Sequence, residues 1–248
     1  MFIIVAIIVV ALAALFYAIS PRLGIDLSLS TKNPENFIET CLEDDLEEIV
    51  EQISLQGGSL DPPNYFVYNN QRIEYLCYTN KDVGQTDSPE CIVQQPLLKQ
   101  HIESEIKEGI QDLADICFNA LKNDFEKKGF VVKLTPGETK VELLPERIIT
   151  TFGHEVVLTK DSSEKYNEFD IILKSNLFEL VSIANSIINS EVVFGDTDTL
   201  RYIMLYRWLN VKKDLQDDGT RIYLIENVNS GDKFQFASRS FVWPSGFV

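Results

Sequence analysis

Six side chains in this sequence are of the kinds that most often do covalent or acid–base chemistry: Cys41, Cys77, Cys91, Cys117, His101 and His154. No two cysteines form a C-x-x-C pair, and two scattered histidines do not complete a zinc-ligand spacing, so no metal is expected. An even number of cysteines suits two disulfides in an oxidising compartment, whereas four buried thiols would suit a reducing one. Four cysteines allow three connectivities. Pairing Cys77 with Cys91 would close a polar loop, and pairing Cys41 with Cys117 would join two helices, which gives each bond a packing rationale. The histidines stand in no G-x-S-x-G or H-E-x-x-H motif. Both read as surface residues, His101 on a helix and His154 at a hairpin tip. Spacing along the chain does not constrain a triad assembled by the fold.

Carboxylates are abundant but do not converge. Asp214 to Gly219 places glycine sixth, as a calcium loop does, but the twelfth position is Ile225 and Glu226 comes one residue late; the stretch reads as a turn. Glu39, Glu43, Asp44, Asp45, Glu47, Glu48 and Glu51 spread around a helix and read as a solvated face. No G-x-G-x-x-G or Walker loop is present to cradle a nucleotide. No catalytic, cofactor-binding or metal-binding residue is therefore assigned, and no cofactor is expected.

The elements that must position these residues follow from periodicity. Asn33-Pro34 starts a helix with Ile38, Leu42, Leu46, Ile49 and Ile53 on one face, stopped by Gly57-Gly58. Residues 65–68 and 72–78 flank Asn69-Asn70 as a hairpin. Pro96 opens a long helix to about Lys128, with a stripe of Leu98, Ile102, Ile106, Ile110, Leu113, Cys117 and Leu121. The period then becomes two: 130–134, 140–144, 147–152 and 155–159 read as successive antiparallel strands, and 168–173 as another. Ser175 caps a helix with Leu177, Leu180, Val181, Ala184, Ile187 and Ile188 inside. A helix over 198–210 and a strand pair, 220–228 and 233–242, complete the chain. Phe234 and Phe236 belong to a core strand. Phe241, Trp243 and Phe247 read as packing back on the body or meeting another subunit. Arg201, Tyr202, Tyr206, Arg207 and Trp208 form an aromatic-basic group suited to an interface.

Ahead of all this lie nineteen residues, Met1 to Ile19, without a charge. As a helix they would span about 28 Å, close to the hydrocarbon thickness of a bilayer. Phe2, Ile3, Ile4, Val5, Ile7, Ile8, Val9, Val10, Leu12, Leu15 and Phe16 are the expected lipid-facing set. Ala11-Leu12-Ala13 would suit cleavage of a signal peptide, but the length of the run and the lack of a preceding basic residue favour retention. Arg22 after the run leans toward a cytoplasmic domain by the positive-inside rule, while the cysteines point outward. The formal net charge of −16 excludes a nucleic-acid partner, which needs clustered Lys and Arg. The sequence therefore predicts an α+β chain: a transmembrane anchor (1–20), a linker (21–33), a helical, disulfide-stapled half (34–129) and an antiparallel α+β half (130–248).

The opening Met1-Phe-Ile-Ile-Val-Ala-Ile-Ile-Val-Val resembles the apolar segment of archaeal type IV pilin-like proteins. The basic leader and short polar motif that precede this segment in that family are not in the sequence. Phe37-Ile-Glu-Thr-Cys41, Gly57-Gly58 and the aromatic end around Phe241-Val-Trp-Pro resemble exported single-anchor archaeal proteins of unknown function. The likeness carries no catalytic residues. The apolar run, the even cysteine count and the lack of a catalytic motif together lead to the expectation of a single-pass, extracytoplasmic, non-enzymatic protein held in membrane lipid through residues 1–19, for surface assembly, self-association or binding of a surface partner. The alternative is an anchored enzyme or ligand-binding domain with a cleft between the two halves.

Overall fold

The computed structural model describes residues 33–80 and 91–240. The expected anchor, the linker up to residue 32 and the aromatic residues Phe241, Trp243 and Phe247 lie outside them. Helix α1 (Pro34–Leu55) buries Phe37, Ile38, Leu42, Leu46, Val50 and Ile53. Ile49, expected on that stripe, is half-buried, and Val50 takes the core position because a 3.6-residue turn carries the stripe around the helix. The chain leaves α1 through Gly57, whose φ of 87° is in the left-handed region. A Cβ there would lie 2.7 Å from Glu74 Cβ, so the turn rests directly on the following hairpin.

That hairpin is β1 (Tyr65–Tyr68) and β2 (Gln71–Tyr78), joined as expected at Asn69 and Asn70, both at positive φ. A two-residue strand, β3 (Ile92–Val93), pairs with β2. Helix α2 (Leu98–Lys127) packs antiparallel elements beneath it through Leu98, Ile102, Ile106, Ile110, Ala114, Cys117, Phe118, Leu121 and Phe125. Leu113, expected in this stripe, is half-buried and Ala114 is inside. Both disulfides form with the pairing favoured above: Cys41–Cys117 staples α1 to α2 at a Cα separation of 6.1 Å. Cys77–Cys91 ties the end of β2 to the segment before β3, at 5.3 Å.

Of the strands that follow, residues 139–144 and 147–152 pair in succession as expected, but 131–135 does not pair with 139–144, nor 147–152 with 155–159. β4 (Val131–Thr135), β7 (Glu155–Thr159) and β8 (Ser163–Tyr166) make one three-stranded antiparallel sheet; β5 (Thr139–Leu144), β6 (Arg147–Phe152) and β9 (Phe169–Lys174) make another. Thr135-Pro136-Gly137 and Gly153-His154 are therefore corners between sheets rather than hairpin turns. The two corners touch: a Cβ on Gly137 would lie 1.7 Å from the Gly153 carbonyl oxygen. β8 escaped notice because Ser163, Glu164 and Lys165 are exposed and give no apolar alternation.

Helix α3 (Leu177–Phe194) starts where Ser175 Oγ accepts from the Leu177 amide and Asp232 accepts from the Asn176 amide. Gly195 ends it in the left-handed conformation. By length and composition it is the one helix among the described residues able to cross a membrane. Its buried face, Leu177, Leu180, Val181, Ile183, Ala184, Ile187 and Ile188, serves instead as a core face against β2 and two later strands at residues 221–227 and 233–239. The helix expected over 198–210 is shorter. Helix α4 (Thr199–Leu205) stops early, and β10 (Leu209–Leu215) begins where Leu209 and Val211 are buried in alternation. β11 (Arg221–Asn227) and β12 (Lys233–Arg239) follow.

The principal sheet runs β1-β2-β12-β11-β10. All its pairs are antiparallel except β12 with β2, which is parallel. β12 is covered on both faces, which buries Phe234, Gln235, Phe236, Ala237 and Ser238 together. Because β2 comes from the first half and β12 from the second, the halves share one sheet. From Pro34 onward the chain is a single unit.

Candidate functional site

The turn that Gly57 presses onto β2 brings Ser59 beside Glu74. Ser59 Oγ donates to Glu74 Oε2 at 2.5 Å and lies 2.7 Å from Nε2 of His101, which projects from the first turns of α2. With the hydroxyl proton directed at Glu74, His101 Nε2 is the donor to Ser59. Gln95 Nε2 donates to the other oxygen of Glu74, at 2.9 Å. Glu105, one turn along α2, approaches His101 Nε2 at 3.9 Å and accepts from the Leu60 amide at 2.8 Å. Burial pushes the Glu74 carboxyl above the usual carboxylate range, against the hydrogen bonds from Gln95 and Ser59 and the pull of His101.

Serine, histidine and glutamate in contact invite comparison with a nucleophilic triad, and the geometry answers against it. A triad needs the histidine to accept the serine proton while a carboxylate holds the opposite ring nitrogen. Here the proton points at Glu74, Glu105 approaches the same Nε2 that meets Ser59, and Ser59 is only 2% exposed. What the arrangement can do is carry a proton between the partly exposed His101 and the buried Glu74 through the Ser59 hydroxyl. It also locks the end of α1, β2 and the start of α2 together. His101 is thus a bonded, half-buried residue and not the free surface residue expected. Gly57-Gly58 was legible as a helix stop, but nothing marked Ser59.

A second buried carboxylate joins α3 to the principal sheet. Glu191 is fully buried and accepts from the Tyr223 hydroxyl, from Ser238 Oγ at 3.0 Å and from Arg221 Nη1 at 3.4 Å. Burial raises its pKa, opposed by Arg221, Tyr223 and Ser238. Burial and the adjoining carboxylate together drive the Tyr223 hydroxyl far above its ordinary value. Arg221 reaches onward to Asp196 at 3.5 Å, and Lys213 Nζ donates to Asp196 at 2.6 Å. Asp196 is held below the ordinary carboxylate range: burial pushes up, and these cations with the Thr197 amide outweigh it.

His154 is a correction of a different kind. It is buried, 1% exposed, with its ring stacked 4.0 Å from that of Phe118. The contact between Gly137 and Gly153 pulls this corner inward under α2, which is why no surface tip forms. Burial lowers its pKa, opposed by Asp115, whose Oδ1 lies 3.8 Å from Nε2. Of the Asp214–Gly219 stretch expected as a turn, Asp214 and Leu215 end the preceding strand and Gln216 to Gly219 make the turn: Asp218 accepts from the Thr220 amide and hydroxyl, and Asp214 accepts from the Tyr68 hydroxyl. Among the described residues no group of three acidic, histidine or cysteine side chains could hold a metal ion.

The described residues also form concavities. A cleft of about 570 Å³ lies between the halves, with Glu47 and Glu51 of α1 facing Lys174 of β9 and Lys233 of β12. A groove of about 630 Å³ runs between α3 and α4, lined by Ser186, Phe194, Arg201, Tyr202, Leu205 and Tyr206. Of the aromatic-basic group, Arg201, Tyr202 and Tyr206 line this groove. The Tyr202 hydroxyl meets Ser186 Oγ at 2.8 Å, and the rings of Tyr206 and Trp208 lie 5.9 Å apart. Compared with known protein families, characterised proteins and solved structures, the chain matches none.

Proposed function

We propose that this chain is a membrane-anchored, extracytoplasmic protein that works by binding rather than catalysis, its α+β domain taking part in surface assembly or partner recognition. One observation supports this reading above the others: all four cysteines pair into two disulfides, in a chain that opens with nineteen uncharged apolar residues. Disulfides persist in oxidising compartments, and a helix of that length matches a bilayer. The pilin-like opening adds a role for the apolar segment in packing against copies of itself. A ligand-binding role for the cleft is the second reading, favoured by the opposed Glu47/Glu51 and Lys174/Lys233 walls drawn from both halves.

Topology tests the first reading. In intact cells, added protease should degrade the domain, and the thiols should resist alkylation until a reductant is supplied. A domain protected until lysis, with all four thiols alkylated without reduction, would place it inside and end the proposal.

A further inference from the structure

Large apolar side chains stand exposed here and there over the fold, but between residues 193 and 206 they accumulate. Phe194 is 69% exposed, Leu200 66%, Met204 83% and Leu205 64%, with Val193 and Tyr206 beside them. At about 100° per residue, Leu200, Met204, Arg201 and Leu205 share one arc of roughly 140° on α4. All four face outward, while Tyr202 and Ile203 are half-buried and turn toward the body. Apolar patches of this kind on a soluble body mark a contact.

Charge identifies the kind of contact. The chain carries a net −16, yet residues 193–213 hold Arg201, Arg207, Lys212 and Lys213 against Asp196 and Asp198. Asp196 is already satisfied by Lys213 and Arg221, and Asp198 is occupied in capping α4 at the Leu200 amide. Among the described residues no ion pair engages Arg201 or Arg207. An apolar arc flanked by unpaired arginines, with Tyr206 and Trp208 at its edge, has the composition that a lipid–water interface selects. Apolar side chains enter below the headgroups, arginines reach phosphates, and Tyr and Trp rings sit between. The acidic surface as a whole would be repelled by anionic lipid, whereas this patch joins exposed apolar side chains to two arginines that no ion pair engages.

We propose that α4 and the end of α3 form a second membrane contact, lying in the interface plane of the bilayer that holds the apolar amino terminus. The inference rests on the anchoring reading, since a tethered domain meets the surface at high effective concentration and needs only weak affinity. The test uses the full chain in phosphatidylcholine–phosphatidylglycerol vesicles, with Trp243→Phe leaving Trp208 as the single tryptophan. Lipids brominated near the headgroup should quench Trp208 at least two-fold. Met204→Asp with Leu205→Asp should abolish that quenching while the chain still floats with the vesicles. Flotation without quenching in the parent overturns the inference and leaves the anchor standing. Quenching that survives the double variant overturns it too, as does shielding of Trp208 from acrylamide without bromolipid quenching, which would assign the face to a protein. A chain that neither floats nor is quenched ends both readings.

Discussion

Replacing Cys41 and Cys117 together by alanine should cost this protein about 4 kcal/mol, and the size of that loss follows from the loop. The bond spans 76 residues, and the Cys77–Cys91 bond, spanning 14, is nested inside it. With the inner loop closed, the outer one is shortened to about 62 residues, for which the loss of unfolded-chain entropy is worth roughly 4.3 kcal/mol at 25 °C. The inner bond, taken alone, is worth about 3 kcal/mol on the same basis. Cys41 is half-buried and Cys117 lies in the buried stripe of α2, so a small packing loss adds to the entropic one. Guanidinium unfolding followed by tryptophan emission reads the difference. With a denaturant slope near 5 kcal/mol/M for a domain of this size, the midpoint should fall by about 0.8 M. The order matters as much as the magnitude. A loss under 1 kcal/mol, or a larger loss for Cys77→Ala/Cys91→Ala than for the outer pair, would refute the loop argument.

Glu191→Ala should cost about 3–5 kcal/mol, since it leaves the Tyr223 and Ser238 hydroxyls buried without their acceptor and the Arg221 guanidinium with only Asp196 and the Ser240 carbonyl. The folded-state pKa of Glu191 is raised, so the native state holds that proton longer than the unfolded chain, and stability falls as pH climbs from the ordinary glutamate range through the raised value. Glu191→Gln should flatten this slope in denaturation curves taken across pH; an unchanged slope would contradict the assignment. Glu74 contributes with the same sign. His154 works in the opposite direction: its pKa is lowered, so stability present at pH 7 is lost as pH falls below about 6.5, where the unfolded imidazole takes up a proton that the buried one refuses. His154→Phe should keep the stack on Phe118, leave the melting temperature at pH 7 nearly unchanged and raise it above the parent's at pH 5. A parent that gains stability on acidification relative to this variant would overturn the account.

Local signals were legible wherever a single physical rule decided the outcome. Asn33-Pro34, Gly57-Gly58 and Asn69-Asn70 bounded α1 and the first hairpin because helix starts and positive-φ turns are read from adjacent residues. The long stripe from Leu98 to Leu121 gave α2, and the two helices then gave a reason for Cys41 to meet Cys117. Partnership between distant strands was not legible. β4 and β5 look like neighbours, yet the contact of Gly137 with the Gly153 carbonyl, a property of the assembled backbone, turns them into separate sheets. The same corner took His154 from an expected tip to a buried ring. β10 was hidden because Lys212, Lys213 and Asp214 follow only two buried alternations, at Leu209 and Val211. Ser59 and Glu191 had no sequence signal, because each matters through residues remote along the chain, at His101 and Glu74 in one case and at Arg221, Tyr223 and Ser238 in the other.

Among the described residues two carboxylates, Glu74 and Glu191, are fully buried, and they share a placement that bears on function. In so acidic a chain most carboxylates stay in water; Glu74 and Glu191 go inside, each where a helix end meets the principal sheet. Paired and hydrogen-bonded there, they contribute less to net stability than an apolar substitute would, but they penalise any docking that leaves them unpaired. Glu74 fixes the turn after α1 and the start of α2 on β2 through Ser59, Gln95 and His101. Glu191 fixes the last turn of α3 on β11 and β12, and Asp196, just beyond the helix, is held by Arg221 and Lys213 of β11 and β10. α4 begins three residues later at Thr199. Its exposed face is therefore presented by a segment clamped at its root to the central sheet, with Tyr202 bonded back to Ser186 as a second attachment. A contact surface held this way loses little conformational entropy on binding, which is what a weak, tethered interaction requires.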